Sequence, residues 1–226
     1  MSSPETQRDF YKFVIHVINA SIIAYSFGIV YNSGFIPFGQ IQTTGDKINF
    51  IAMLFVWGVM ISGWLGYTKS INDKPHSEGH LGNIRFAIDL VISFLMLYLF
   101  IITGKDYFYS NFGETFTFVL PTIFLLYVFW DYIKNKEYPT SNPDMHNILQ
   151  MRVFMTVIVF LALSGQSIFF IFYESLSYHL ASQFNISYSE LFISDANIRY
   201  CIFIGTSSGF IALYRITKGR QYRGFD

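Results

Sequence analysis

Apolar residues in this chain neither alternate nor keep to one helical stripe; they run together. Six stretches, residues 12–32, 48–68, 85–103, 116–133, 152–173 and 199–217, are dominated by Phe, Ile, Leu, Val and Tyr, with polar segments between them. A helix crosses about 30 Å of hydrocarbon with about 20 apolar residues. Barrel strands alternate over about 10 residues, and these runs are longer and evenly apolar. Lipid offers no partner to a backbone amide, so the pattern predicts helices. The expectation is an all-α integral membrane bundle of six transmembrane helices, with residues 1–226 forming a single domain. The third, fourth and sixth runs are slightly short, which snorkelling Lys and Arg side chains offset.

Charge orients these elements. Twelve of the 15 Lys and Arg residues lie at one set of span ends, and only Lys47, Lys105 and Arg199 lie at the other. Basic residues flanking short loops are retained on the cytoplasmic side. Both termini and the 2–3 and 4–5 connections are therefore expected inside, in a multi-pass protein of the cell (inner) membrane. The sixth run is interrupted by Thr206, Ser207, Ser208 and Gly209. Without that crossing Arg215, Lys218, Arg220 and Arg223 would change sides and the asymmetry would fall to eight against seven.

Composition agrees. The chain is 52% hydrophobic and 13% charged, against roughly 25% charged in soluble domains. Its net charge of zero gives no electrostatic case for a nucleic-acid partner. Cys201 is the only cysteine, so no intrachain disulfide can form. The first twelve residues lack the basic, apolar and small-residue sequence of a cleaved signal, so the first span is expected to stay. The basic stretch from Arg215 to Arg223 reads as an anchor to anionic lipid.

The inner ends of the odd spans resemble one another: Lys12 with His16, Arg85 with Asp89, Arg152 with Thr156. Three helical hairpins repeating at about 70 residues would produce this. So would the general preference of inner helix ends for a base and an aromatic residue. The longest connection is expected over about 174–198. Ser187 and Glu190 there have capping-box spacing, which suggests a short interfacial helix within 187–197. Asn185, Ile186 and Ser187 form a sequon.

Two polar groups lie inside the spans. Arg85 and Asp89 are four residues apart, within salt-bridge reach on one helix face. Asp131 and His16 sit at comparable depth. Intramembrane charges are costly and tend to face a bundle interior or a water cavity. His16, Arg85, Asp89 and Asp131 are therefore the candidate ionic cluster, either lining a pathway or fixing helix register. In the other half, Gln166 and Thr206 are expected to meet across an antiparallel pair. Gly205, Thr206, Ser207, Ser208 and Gly209 then serve tight packing or pore lining. Gly58, Ser62 and Gly66 form a second small-residue stripe. His76, Glu78 and His80 have ligand types for zinc. Pro75 and Gly79 argue for a solvated loop instead. No metal, cofactor or catalytic residue is expected.

The chain has no phosphate-binding glycine loop, HExxH or GxSxG hydrolase motif, potassium filter, or arginine-rich voltage sensor. A non-enzymatic role is expected, although acid–base work by Asp89, Asp131 and His16 is open. The first functional expectation is an oligomeric ion channel or pore. The alternatives are a sensor or effector that recruits a cytosolic partner in stress response or defence, and a proton-coupled secondary transporter. Expected partners are the lipid bilayer, further copies of the chain and a cytosolic protein, but no nucleic acid.

Overall fold

Long apolar runs without internal breakers become long helices. In the computed structural model, which describes residues 4–32, 44–103, 116–139, 143–184 and 196–220, all regular structure is helical. The helices are α1 (Pro4–Asn32), α2 (Thr44–Asp73), α3 (His80–Ile102), α4 (Thr117–Glu137), α5 (Pro143–Phe184) and α6 (Ala196–Arg220). Five of them, α1 to α5, are long and apolar enough to cross a membrane. The 25 residues of α6 are long enough, at about 1.5 Å each. Its Gly-Thr-Ser-Ser-Gly run and basic end keep it less apolar than the other five.

The helices overrun the apolar stretches, because a polar flank continues a helix once apolar residues have nucleated it. The largest overrun is in α5, 42 residues long. Residues 174–184, expected as loop, are the last three turns of α5. The expected interfacial helix at 187–197 and the sequon lie almost wholly outside the described residues, as do Lys105 and Arg223.

Hydrogen bonds between helix ends give the topology. Tyr11 Oη donates to Asn83 Oδ1 at 2.8 Å, and Lys12 Nζ to Asn72 Oδ1 at 2.7 Å. Asn135 Nδ2 donates to the Leu149 carbonyl at 3.1 Å, and Lys218 meets Asp131 at 2.9 Å. The start of each odd helix and the end of each even helix therefore gather at one end, here called the basic pole. The packing is not a row of three hairpins. The pairs α3–α4 and α5–α6 pack closely, but α1 leans on α3, α2 lies against α6, and α1 and α2 barely touch.

The two halves of the bundle differ. Away from the basic pole, Ala52, Val56, Phe100, Phe116, Leu120 and Phe124 are all completely buried in one apolar cluster. At the basic pole, Arg85, Asp89, Asp131 and Lys134 are buried. Large apolar side chains such as Phe13, Leu65, Phe118 and Leu213 face outward, each more than 60% exposed. That suits a lipid-facing surface and not a water-facing one.

Candidate functional site

The site begins with a chain reversal. Pro75 lacks an amide hydrogen, so α2 stops there, its last turn closed by the Lys74 amide on the Ser70 carbonyl at 2.9 Å. Gly79 then caps α3 in an extended conformation. Between them the chain lies flat on the first turn of α3 at Gly82. A Cβ built on Gly82 would stand 1.8 Å from the Ser77 carbonyl oxygen, so no larger residue permits this path.

The reversal turns His76 inward. Its Nε2 lies 2.9 Å from Asp89 Oδ2, with the histidine side chain wholly buried. The solvated loop expected around His76, Glu78 and His80 is thus corrected at His76 alone. Glu78 and His80 are exposed, and His76 belongs to the interior. No group of three metal-ligand side chains occurs among the described residues.

Arg85 occupies the centre of this pole and is completely buried. Its Nη1 approaches Glu137 Oε2 at 2.5 Å, and its Nη2 donates to the Lys74 carbonyl at 3.0 Å. The guanidinium also lies over the rings of Trp130 at 5.3 Å and Tyr138 at 5.7 Å. Glu137 accepts from the Ser77 amide, and Tyr138 Oη donates to the Pro75 carbonyl. The end of α4 is in this way clamped to the 74–79 connection. Burial, with the Arg152 and Arg85 charges nearby, holds the Lys74 ammonium below the usual lysine range. Burial raises the Tyr138 phenol, and the adjacent Glu137 carboxylate adds to it.

A second group sits across the bundle. Asp131 accepts from Lys218 Nζ at 2.9 and 3.1 Å and from Thr156 Oγ1 at 2.8 Å. Lys218 also donates to Tyr214 Oη at 2.6 Å. This group joins α4, α5 and α6.

Between the two groups is a cavity of about 310 Å³ lined by all six helices. Along α3 it runs from Asp89 to Met96, about 10 Å of helix, where Ser93 donates to Asn19 at 3.4 Å. Five basic residues line it, Lys69, Lys134, Arg152, Arg215 and Lys218, against two carboxylates, Asp89 and Asp131. Lys134 donates to Ser70. Arg215 lies in a notch of α2, because a Cβ on Gly66 would meet its Nη1 at 2.8 Å and one on Gly63 would meet its Nη2 at 3.5 Å. Arg215 Nε is buried with no hydrogen-bond partner among the described residues.

The four candidate ionic residues do not form one ring. Arg85 and Asp89 take different partners, Glu137 and His76. The expected bridge between them yields because each finds a partner from another element. Asp131 belongs to the group with Lys218. His16 stands apart, half-buried, with Nδ1 accepting from Trp64 Nε1 at 3.0 Å. In the apolar half, Gln166 Nε2 donates to the Phe203 carbonyl at 2.7 Å and to Thr206 Oγ1. Ser207 Oγ donates to Gln166 Oε1 at 3.2 Å. These bonds tie α5 to α6. Gly205 and Gly209 have nothing within 4 Å of an added Cβ, so they are in no tight contact among the described residues.

Sequence reasoning missed Glu137, Lys134, Arg215 and Lys218 because all four read as charges at helix ends. Two signals pointed to them. Gly66 ends the Gly58 stripe with Gly63 three residues before it, and Asp131, Lys134 and Glu137 recur at helical spacing on α4. Comparison with known protein families, curated proteins and solved structures yields no match. What the fold defines is an all-helical bundle with five helices able to cross a membrane and a charged cavity at one pole.

Proposed function

We propose that the protein is a secondary carrier that binds a small anion in the cavity at its basic pole. In this reading all six helices cross the cell membrane and the basic pole faces the cytoplasm. The observation that carries it is the excess of basic residues around the cavity, five against two carboxylates. A buried guanidinium Nε–H costs free energy unless something accepts from it. An anionic solute would satisfy Arg215 and offset the surplus charge. Carrier sites lie near the bilayer midplane between helices, and a cavity reaching Met96 extends toward that depth.

The same geometry weighs against a pore through one chain. The apolar cluster around Phe100, Phe116 and Phe124 fills the half of the bundle beyond the cavity. A route for the solute requires that half to open, as alternating access does.

The test is uptake and counterflow of labelled phosphate, sulfate and small carboxylates in proteoliposomes. The expected result is saturable uptake of one anion class, lost in Arg215→Ala. Discrete current steps in planar bilayers, without saturable uptake, would replace the carrier with the oligomeric channel. Absence of saturable uptake and of anion binding would remove both the cavity's role and the carrier reading.

A further inference from the structure

We propose that a groove between α5 and α6, at the pole opposite the cavity, holds one acyl chain of an anionic phospholipid whose headgroup sits at Arg199. The groove has a volume of about 520 Å³. On α5 it runs from Leu161 to Tyr173, and on α6 from Arg199 to Phe210. Eleven residues of helix rise about 16 Å, close to half of the roughly 30 Å hydrocarbon thickness. The groove is therefore about one leaflet long. Its lining recurs at helical spacing on both elements, with Gly165, Phe169, Phe203 and Phe210 among the residues that face it.

The polar atoms within the groove are already used. Gln166 and Thr206 bond to each other and to the α6 backbone. That leaves an apolar recess with a cation at one end. The Arg199 guanidinium lies 5.5 Å from the Tyr173 ring, an arginine and tyrosine pair of the kind that marks a headgroup level. Arg199 stands in the first turn of α6, where the helix end also favours negative charge. An apolar recess of one-leaflet length with its cation at the outer end complements a lipid with a negative headgroup. Among the described residues no atom lies within 4 Å of a Cβ added to Gly165, so a side chain placed there enters space that these helices leave unfilled.

The experiment is native mass spectrometry of the full chain in mild detergent, titrated with phosphatidylglycerol or phosphatidylcholine of identical acyl chains. One membrane-surface cation contributes about 1 kcal/mol toward anionic lipid, so wild type is expected to prefer phosphatidylglycerol about fivefold. Arg199→Gln removes that preference while keeping residual binding of both lipids. Gly165→Leu fills the groove and abolishes retention of both. Equal binding of the two lipids by wild type overturns the proposal, as does unchanged retention in Gly165→Leu. A dimer that Gly165→Leu splits, with lipid retention unaffected, assigns the groove to a second copy and overturns it too. If Gly165→Leu does not fold, the comparison of wild type with Arg199→Gln decides alone: a preference that survives in Arg199→Gln overturns the proposal.

Discussion

The Arg215 guanidinium fills a space that exists because residue 66 is glycine: a Cβ there would lie 2.8 Å from Nη1. The clash is with the tip of a flexible side chain, so the fold can absorb it, whereas the position of the charge cannot. In Gly66→Ala, stability is expected to change by less than about 1 kcal/mol, since Ala also favours the helix by a similar amount. Anion affinity is expected to fall about tenfold, a charged hydrogen bond being worth roughly 1.5–3 kcal/mol. Thermal unfolding in detergent and anion titration separate the two quantities. Unchanged affinity would remove Arg215 from the binding site.

Gly82 meets backbone instead. Its added Cβ would fall 1.8 Å from the Ser77 carbonyl oxygen, and that oxygen cannot step aside without moving the whole 74–79 connection. Gly82→Ala is expected to cost at least about 1–3 kcal/mol, the range of overpacking, and to withdraw His76 from Asp89. Limited proteolysis is expected to cut near Ser77 in the variant and not in wild type. His80→Ala, at an exposed position, serves as the neutral comparison, within about 0.5 kcal/mol.

Arg85 and Glu137 are a buried ion pair, 0% and 1% exposed. Removing one partner strands the other charge at a cost of about 3–5 kcal/mol. Arg85→Met is expected to lose that much, and Arg85→Met with Glu137→Leu to regain part of it. Arg85→Lys is expected not to rescue, because an ammonium cannot bond Glu137 and the Lys74 carbonyl from one planar fork over Trp130. A double-mutant cycle in unfolding measurements reads the coupling. Additive losses would mean that the pair is not a unit.

Orientation has a direct check. Cys201 is the only thiol and is exposed, so a Cys201→Ser background is silent to maleimide. Lys136→Cys, exposed at the basic pole, is expected to react with an impermeant maleimide only in inverted vesicles. Gln183→Cys, exposed near the far end of α5, is expected to react in intact cells. Labelling of both from one face would remove the proposed membrane arrangement.

Ser70, Lys134 and the 74–79 connection show where sequence reading stopped. A lysine at the end of an apolar run looks the same whether it snorkels to water or turns inward. Lys134 turns inward because Ser70, Trp130 and Asp131 come to it from its own helix and from α2. His76 looked solvated because proline and glycine flank it. The same two residues make the reversal that buries it. The meeting of Gln166 and Thr206 was legible, since antiparallel neighbours joined by one connection have countable depth.

The helices, their approximate limits and the gathering of alternate ends at a basic pole follow from the one-dimensional order of residues. Apolar run length and the placement of lysine and arginine are local quantities set by the energy of hydrocarbon and of charge. Partner choice among the buried charges is different in kind. It depends on which helices become neighbours, and α1 with α3 or α2 with α6 are not adjacent in the chain. Tertiary packing alone decided that Arg85 meets Glu137, that Asp89 meets His76, and that Arg215 finds room beside Gly66, because a buried charge is stabilised by whatever group the fold brings within a few ångströms.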